Sequence, residues 1–242
     1  MLPRRPQRSR FAIGIAVAAV TFTVFTGRAV GFSASELIDN LTRTNPVLEG
    51  LLNPDWGQIW SRRTRPAFFE TLRMAVLGTV FGSMAALPIA LWSTRVGNSN
   101  GPLRTAIRSA NNVGRSIPDL LWALLFVQAV GIGALPGLLA LFFFTIAVVS
   151  KLTFDILDGI DPGPIEASDA AGASTTQRLR TAVVPQILPQ YTSFVLYSFE
   201  LNLRASAVLG LVGGGGLGAR FEFFRSQGRW EEMWGVILLF FA

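Results

Sequence analysis

The chain has 242 residues, of which 50% are hydrophobic and only 15% charged, with a net charge of +6. A soluble domain carries about a quarter charged residues, so this deficit points to lipid as the main solvent. The absence of cysteine and histidine excludes a disulfide framework and thiolate metal sites, and removes the commonest general base.

A helix needs about 20 mostly apolar residues to cross a bilayer. The first such run, residues 11–32, follows Arg4, Arg5, Arg8 and Arg10. Its length, and the lack of a small-x-small cleavage site, point to an uncleaved anchor and not a signal peptide. The bias to arginine, alanine and glycine suggests a GC-rich bacterial genome, in which the glycosylation pattern Asn40-Leu41-Thr42 would carry little meaning. Trp56, Ile59 and Trp60 interleave with Arg62, Arg63 and Arg65, which suits a helix lying in the membrane interface. Further apolar runs cover residues 68–94, 117–131, 138–157 and 187–212. A sixth begins near Trp230, and residues 235–242 are too short to span, so that helix is expected to continue beyond Ala242. The prediction is an all-α integral membrane protein with about six transmembrane helices, the last one truncated.

The arginines set the orientation. With the N-terminus inside, the inner segments hold Arg4, Arg5, Arg8, Arg10, Arg95, Arg104, Arg108, Arg115, Arg178 and Arg180. The outer segments hold Arg43, Arg62, Arg63, Arg65, Arg220, Arg225 and Arg229. The excess favours a cytoplasmic N-terminus. Arginines strung along span ends, instead of gathered in one segment, also argue against a nucleic-acid partner.

Several features lie within the spans. Gly78-x-x-x-Gly82, with Ala75, Ala85 and Ala86, gives a small-residue face for close helix packing, within the chain or between copies. Ser116-x-x-Asp119 with Pro118 reads as a capping box opening the third run; free amides favouring an anion are the other reading. Lys151 and Asp155 read as an ion pair. Glu200 and Arg204 share a helix face with Ser193 and Tyr197. A charge at mid-bilayer costs at least about 2.5 kcal/mol, so these residues face protein or a water-filled path. Either Arg204 lines a route for an anion, or Glu200 neutralises it and the pair locks helices together. Gly213, Gly214, Gly215 and Gly216 with Gly218 formally contain G-x-G-x-x-G, but no strand precedes them and no P-loop lysine follows. They are expected to break the helix end as a gate or a turn. Residues 221–234, with Arg220, Arg225 and Arg229, read as an interfacial anchor, a contact with a partner protein being the other reading.

Between the fourth and fifth spans lies a polar stretch. Asp161-Pro162-Gly163-Pro164 is a stop signal. Glu166 and Asp169 suit the positive end of a short helix that Gly172 terminates. This helix is expected to lie along the cytoplasmic membrane surface, as a docking element or an ordinary loop helix.

These residues carry a resemblance. Permeases of binding-protein-dependent ABC importers have a loop of pattern E-A-A, three residues, G, nine residues, I, one residue, L-P. Glu166-Ala167-Ser168 and Gly172 match it, and Ala182, Val184 and Pro185 stand at its end, with Ser168, Ala182 and Val184 departing to small or apolar types. The blocks Glu70-Thr71-Leu72-Arg73-Met74-Ala75, Ser116-Ile117-Pro118-Asp119-Leu120-Leu121-Trp122 and residues 197–213 resemble phosphonate transporter permeases.

The resemblance implies a peripheral helix plus a five-helix permease core. Residues 1–66 would form an anchor, outer loop and interfacial helix, and residues 67–242 the core, with a coupling loop at 158–186. It implies that Glu166, Ala167, Ser168, Asp169, Gly172, Ala173 and Ser174 couple to a pair of ABC ATPase subunits, which hold the ATP and Mg. Tyr197, Glu200, Asn202, Arg204 and Ser206 would line the pathway, with Gly213 to Gly216 as gate or helix break. The other implied partners are a second permease copy, an extracytoplasmic substrate-binding protein and the lipid of the bacterial inner membrane. No catalytic residue, cofactor or metal is implied in this chain. The implied cargo is a phosphonate or related phosphorus oxyanion (phosphite, phosphate), the alternative being an amino acid, a quaternary amine or a metal oxyanion. The coupling pattern argues against a secondary transporter, and the lack of His and Cys weakens a membrane-embedded enzyme.

Overall fold

The computed structural model describes residues 10–33, 35–36, 38–39, 45–58 and 61–241, and every regular element among them is helical. The glycosylation pattern at residues 40–42, the arginines at 4, 5, 8 and 43, and Ile59 and Trp60 of the expected interfacial helix lie outside the described residues. The chain divides into two units, residues 1–52 and 53–242.

The first unit holds α1 (Arg10–Ala29) and α2 (Pro46–Leu52). On α1 the large apolar side chains Ile15, Val20 and Phe25 are exposed, as lipid solvation allows.

The second unit opens with a 3-10 turn (Trp56–Gln58), followed by α3 (Thr64–Trp92), α4 (Gly101–Ser116), α5 (Asp119–Val130) and α6 (Ala134–Asp158). Then come α7 (Gly163–Ala170), α8 (Thr175–Arg178), a π-helical turn (Leu179–Val183), α9 (Val184–Leu211), α10 (Gly216–Ser226) and α11 (Trp230–Phe241). Helices α3, α6 and the succession Thr175–Ser226 are long and apolar enough to cross a membrane, and α4 with α5 makes a fourth if that bent pair is one span. The apolar stretch Ile13–Ala29 and the 12-residue α11 are shorter than this. Three or four of the expected spans are thus long and apolar enough among the described residues, and α11 is the short last helix.

Packing in this unit inverts the soluble pattern. On α3 the small residues Ala75, Gly78, Thr79, Gly82, Ser83 and Ala86 are buried, while Val76, Val80, Phe81 and Met84 are exposed. Lipid solvates large side chains as well as a protein core does, so helices join through small residues that let backbones approach. A Cβ at Gly78 would sit 2.8 Å from Leu141 Cβ, and one at Gly82 2.6 Å from Thr145 Cβ. The small-residue face thus packs α3 onto α6 of its own chain. Across α5 and α6, Trp122, Phe126 and Phe143 stack with ring centroids 5.4–5.9 Å apart.

Two local readings change. The segment 101–116 is a helix that the hydropathy runs did not reveal; the Asn100 side chain accepts Leu103 N–H at 3.2 Å and Pro102 sits in its first turn. The capping box does not form. Ile117 precedes proline and is extended, which turns the chain by 90° between α4 and α5. Ser116 Oγ donates back to Val113 O (2.7 Å), and Asp119 Oδ1 accepts from Leu120 N (2.8 Å). Residues 216–226 form a helix folded against α9 and α3. Phe224 is 1% exposed, with the Arg220 and Arg229 guanidinium groups 4.8 and 5.0 Å from its ring centre. The Lys151–Asp155 ion pair forms as expected, at 2.6 Å.

Candidate functional site

Two regions gather the residues singled out by the sequence. The first is the hairpin of α7 and α8. Proline at its second position and an Asx turn, in which Asp161 Oδ1 accepts from Gly163 N at 2.9 Å, start α7. Gly172 ends it at φ 73°: Ala173 N donates to Ser168 O and Gly172 N to Asp169 O, both at 3.0 Å. This is the Schellman arrangement, whose left-handed position glycine adopts without strain. Ser174 and Gln177 then form a capping box for α8.

No residue of α7 is buried. Glu166, Ala167, Asp169, Gly172 and Ser174 are exposed, while Ser168 and Ala173 are partly covered. The hairpin is nevertheless fixed. Ile165 and Leu179 pack against an apolar cluster of Ala90, Phe154, Leu157, Val183 and Ile187. Arg178 Nη1 donates to Asp169 Oδ1 (2.9 Å), and its Nη2 donates to Val96 O (2.7 Å). Beside α7 runs a groove of about 730 Å³, lined in part by Arg95, Arg104, Arg108, Asp158 and Glu166. Arg108 grips Asp158 through two bonds of 2.7 and 2.9 Å.

The second region is α9 and the turn after it. The five expected pathway residues divide between two faces. Tyr197, Glu200 and Arg204 are exposed along one stripe with Ser193, and Arg204 pairs with Glu200. Among the described residues that pair joins two turns of one helix and ties no second helix. Asn202 and Ser206 are fully buried on the opposite side. Asn202 Nδ2 donates to Thr79 Oγ1 on α3 (2.8 Å) and Thr145 Oγ1 on α6 (2.7 Å), and Ser206 Oγ donates to Leu203 O (2.6 Å). Next to Arg204 lies an apolar crevice of about 360 Å³, bounded by Val208, Leu211, Phe221, Val236 and Phe240.

The four glycines form a tight reversal between α9 and α10. Gly213, Gly215 and Gly216 have φ of 97°, 76° and 67°. Gly133 N donates to Gly213 O (2.9 Å), and Leu217 N donates to Thr71 Oγ1 (2.8 Å). A Cβ at Gly215 would fall 2.7 Å from Glu70 Oε1, so the turn is wedged between the starts of α3 and α6.

Sequence reasoning missed Arg178 and Tyr191. Tyr191 OH donates to Ser83 O at 2.5 Å, joining α9 to α3. Its position on the same stripe as Ser198 and Asn202 was the available signal.

Residues 78–240 match the family model described as "Binding-protein-dependent transport system inner membrane component". A phosphite transport system permease protein of Stutzerimonas stutzeri is 33% identical over 213 residues, covering 86% of this chain and 75% of the relative. A phosphate-import permease protein of Mycolicibacterium smegmatis is 36% identical over 196 residues, 81% of this chain but only 36% of that longer protein. Among solved structures, an inward-facing form of the MetNI methionine ABC transporter aligns with TM-score 0.60 and 27% identity, covering 74% of this chain and 90% of that one.

Proposed function

The chain belongs to the family of binding-protein-dependent transport system inner membrane components, and from that premise we propose that it is the permease of an ATP-driven importer of phosphorus oxyanions. Two copies pair around a central path, with their N-termini in the cytoplasm. Each copy rests α7 in a groove of one ATPase subunit. ATP binding draws the ATPases together and turns the paired permeases outward, where a loaded binding protein releases its solute. Hydrolysis and phosphate release restore the inward state. The bond-breaking chemistry belongs to the ATPase, and the relatives of this chain are themselves transport subunits.

The single observation that carries the coupling role is a helix that buries nothing of its own and yet is pinned at both ends. An ordinary connecting helix of eight residues would be marginal in water unless packing held it. Here the held face is small, and the free face offers Glu166, Ala167 and Ala170 to a partner. The cargo class is supported by the phosphite and phosphate permeases among the relatives, and by Arg204 on the exposed stripe of α9. Glu200 holds that arginine in place and leaves part of its guanidinium fork free for an oxyanion.

The test is ATPase activity of the reconstituted complex, with and without the binding protein loaded with methylphosphonate. Stimulation that disappears in Gly172→Val supports coupling and cargo together. Stimulation by an unrelated solute only would remove the cargo class and leave the importer. If no ATPase copurifies with the permease, the coupling role falls.

A further inference from the structure

We propose that Arg178 is the positioning residue through which a displacement of α7 reaches the ends of α3 and α6; this rests on the docking role of α7 given above. The guanidinium spans two elements 82 residues apart in sequence: Nη1 holds Asp169 on α7 at 2.9 Å, and Nη2 holds the carbonyl of Val96 in the α3–α4 connection at 2.7 Å. The side chain is 21% exposed, and its Nε is buried without a hydrogen-bond partner. The geometry therefore serves the two terminal nitrogens at the expense of the third, as a rigid fork does when both its prongs are committed.

The connection that Arg178 grips is held a second time. Three residues earlier Ser93, which closes α3, accepts from Arg108 Nε at 2.9 Å, and the same Arg108 clasps Asp158 at the last residue of α6. Two charge-assisted clasps thus hold the one connection, Asp169–Arg178 at Val96 O and Asp158–Arg108 at Ser93 O, and the backbone of residues 93–96 joins them. The apolar cluster that Val96, Ile165 and Leu179 share lies alongside them. Apolar contact is non-directional and lets surfaces slide, whereas the fork fixes both distance and direction. When α7 shifts, the cluster keeps the hairpin attached while Arg178 makes the α3 end follow.

The experiment uses the permease with the ATPase that copurifies with it and the loaded binding protein, in proteoliposomes. It reads methylphosphonate moved per ATP hydrolysed. A second readout is the distance distribution between spin labels at Ser99→Cys and Ala170→Cys, both exposed positions in a chain without native cysteine. Arg178→Gln is expected to lower the coupling ratio about tenfold, the worth of one charge-assisted hydrogen bond, and to widen the label distribution while hydrolysis continues. Asp169→Asn, which spares the Val96 bond, should lower coupling less. The exchange Asp169→Arg with Arg178→Asp restores the ion pair but leaves nothing to donate to Val96 O, so it should not rescue. If it does rescue, or if Arg178→Gln couples normally with the ATPase bound, the proposal is overturned. Should Arg178→Gln fail to accumulate, Arg178→Met, unbranched and without a donor, replaces it, and undiminished coupling in it overturns the proposal equally. An unaltered permease that binds no ATPase removes the docking role first and this inference with it, an outcome distinct from failure in the variants alone.

Discussion

Asn202 is the residue on which three helices meet, and its amide is only half satisfied. Its nitrogen serves Thr79 and Thr145, while its Oδ1 is buried with no partner. Asn202→Leu therefore removes two hydrogen bonds and one orphan acceptor at once. The net cost should be about 1–2 kcal/mol, because the threonine hydroxyls remain buried. Adding Thr79→Val and Thr145→Val should recover most of that loss, since a fully apolar junction leaves nothing unpaired. Thermal unfolding in detergent measures both, and a triple variant less stable than the single one would contradict the argument. Gly172 poses the opposite case. A Cβ there meets nothing within 4 Å, so Gly172→Ala is limited to the left-handed backbone cost of about 1 kcal/mol. Because α7 buries no residue, the thermal midpoint of the bundle should stay unchanged while the yield of copurified ATPase falls. The end of α7 at Gly172 was legible from spacing alone, since the Pro-Gly-Pro start and the glycine stop are local chemistry. The partners of Asn202 were not, because they lie 123 and 57 residues away.

At the scale of elements, the contact between α3 and α6 is a backbone approach that two glycines permit. Gly82→Leu would drive a side chain into Thr145 and Phe142 O of α6, whose backbone cannot yield. Overpacking of this kind costs about 1–3 kcal/mol, whereas Val80→Leu on the exposed face of the same helix should be neutral in lipid. Folded yield and thermal midpoint of the two variants, measured side by side, separate packing from helix propensity. The long helices were readable because hydropathy over 20 residues is set by the solvent and needs no partner. Helix α4 was hidden because its apolar residues Leu103, Ile107 and Val113 are spaced among arginines and asparagines, a pattern visible only at a period of 3.6. The same period would have divided the α9 candidates. At about 100° per residue, Tyr197, Glu200 and Arg204 fall together, and Asn202 and Ser206 fall roughly opposite. Grouping them by their shared block, not by face, merged a surface with a core.

Considered as a whole, the second unit carries a polar stripe along α9. Through the middle of α3 the exposed residues Val76, Leu77, Val80, Phe81 and Met84 are large and apolar, as lipid contact requires, but on α9 Ser193, Tyr197, Glu200 and Arg204 interrupt Leu196, Val208 and Leu211. An ion pair facing hydrocarbon would carry an insertion cost of about 2.5 kcal/mol or more per charge, which water or protein relieves. In the proposed pairing, a second copy of the chain, set so that both α9 stripes line one wet path, would supply both. On that arrangement Val208, one turn beyond Arg204, comes near its counterpart across the path. Val208→Cys in this otherwise cysteine-free chain should form a disulfide-linked pair under mild oxidation in membranes. Cysteine in place of Phe81, exposed on the lipid-facing side of α3, should remain monomeric under the same conditions. The link should also respond to the transport cycle, because a path that opens to alternate sides changes the distance between its two walls. Adding ATP and vanadate should therefore alter the rate of cross-linking at 208 and leave residue 81 unaffected. Equal cross-linking at both positions would mean that collisions in the membrane, and not a paired pathway, bring the cysteines together.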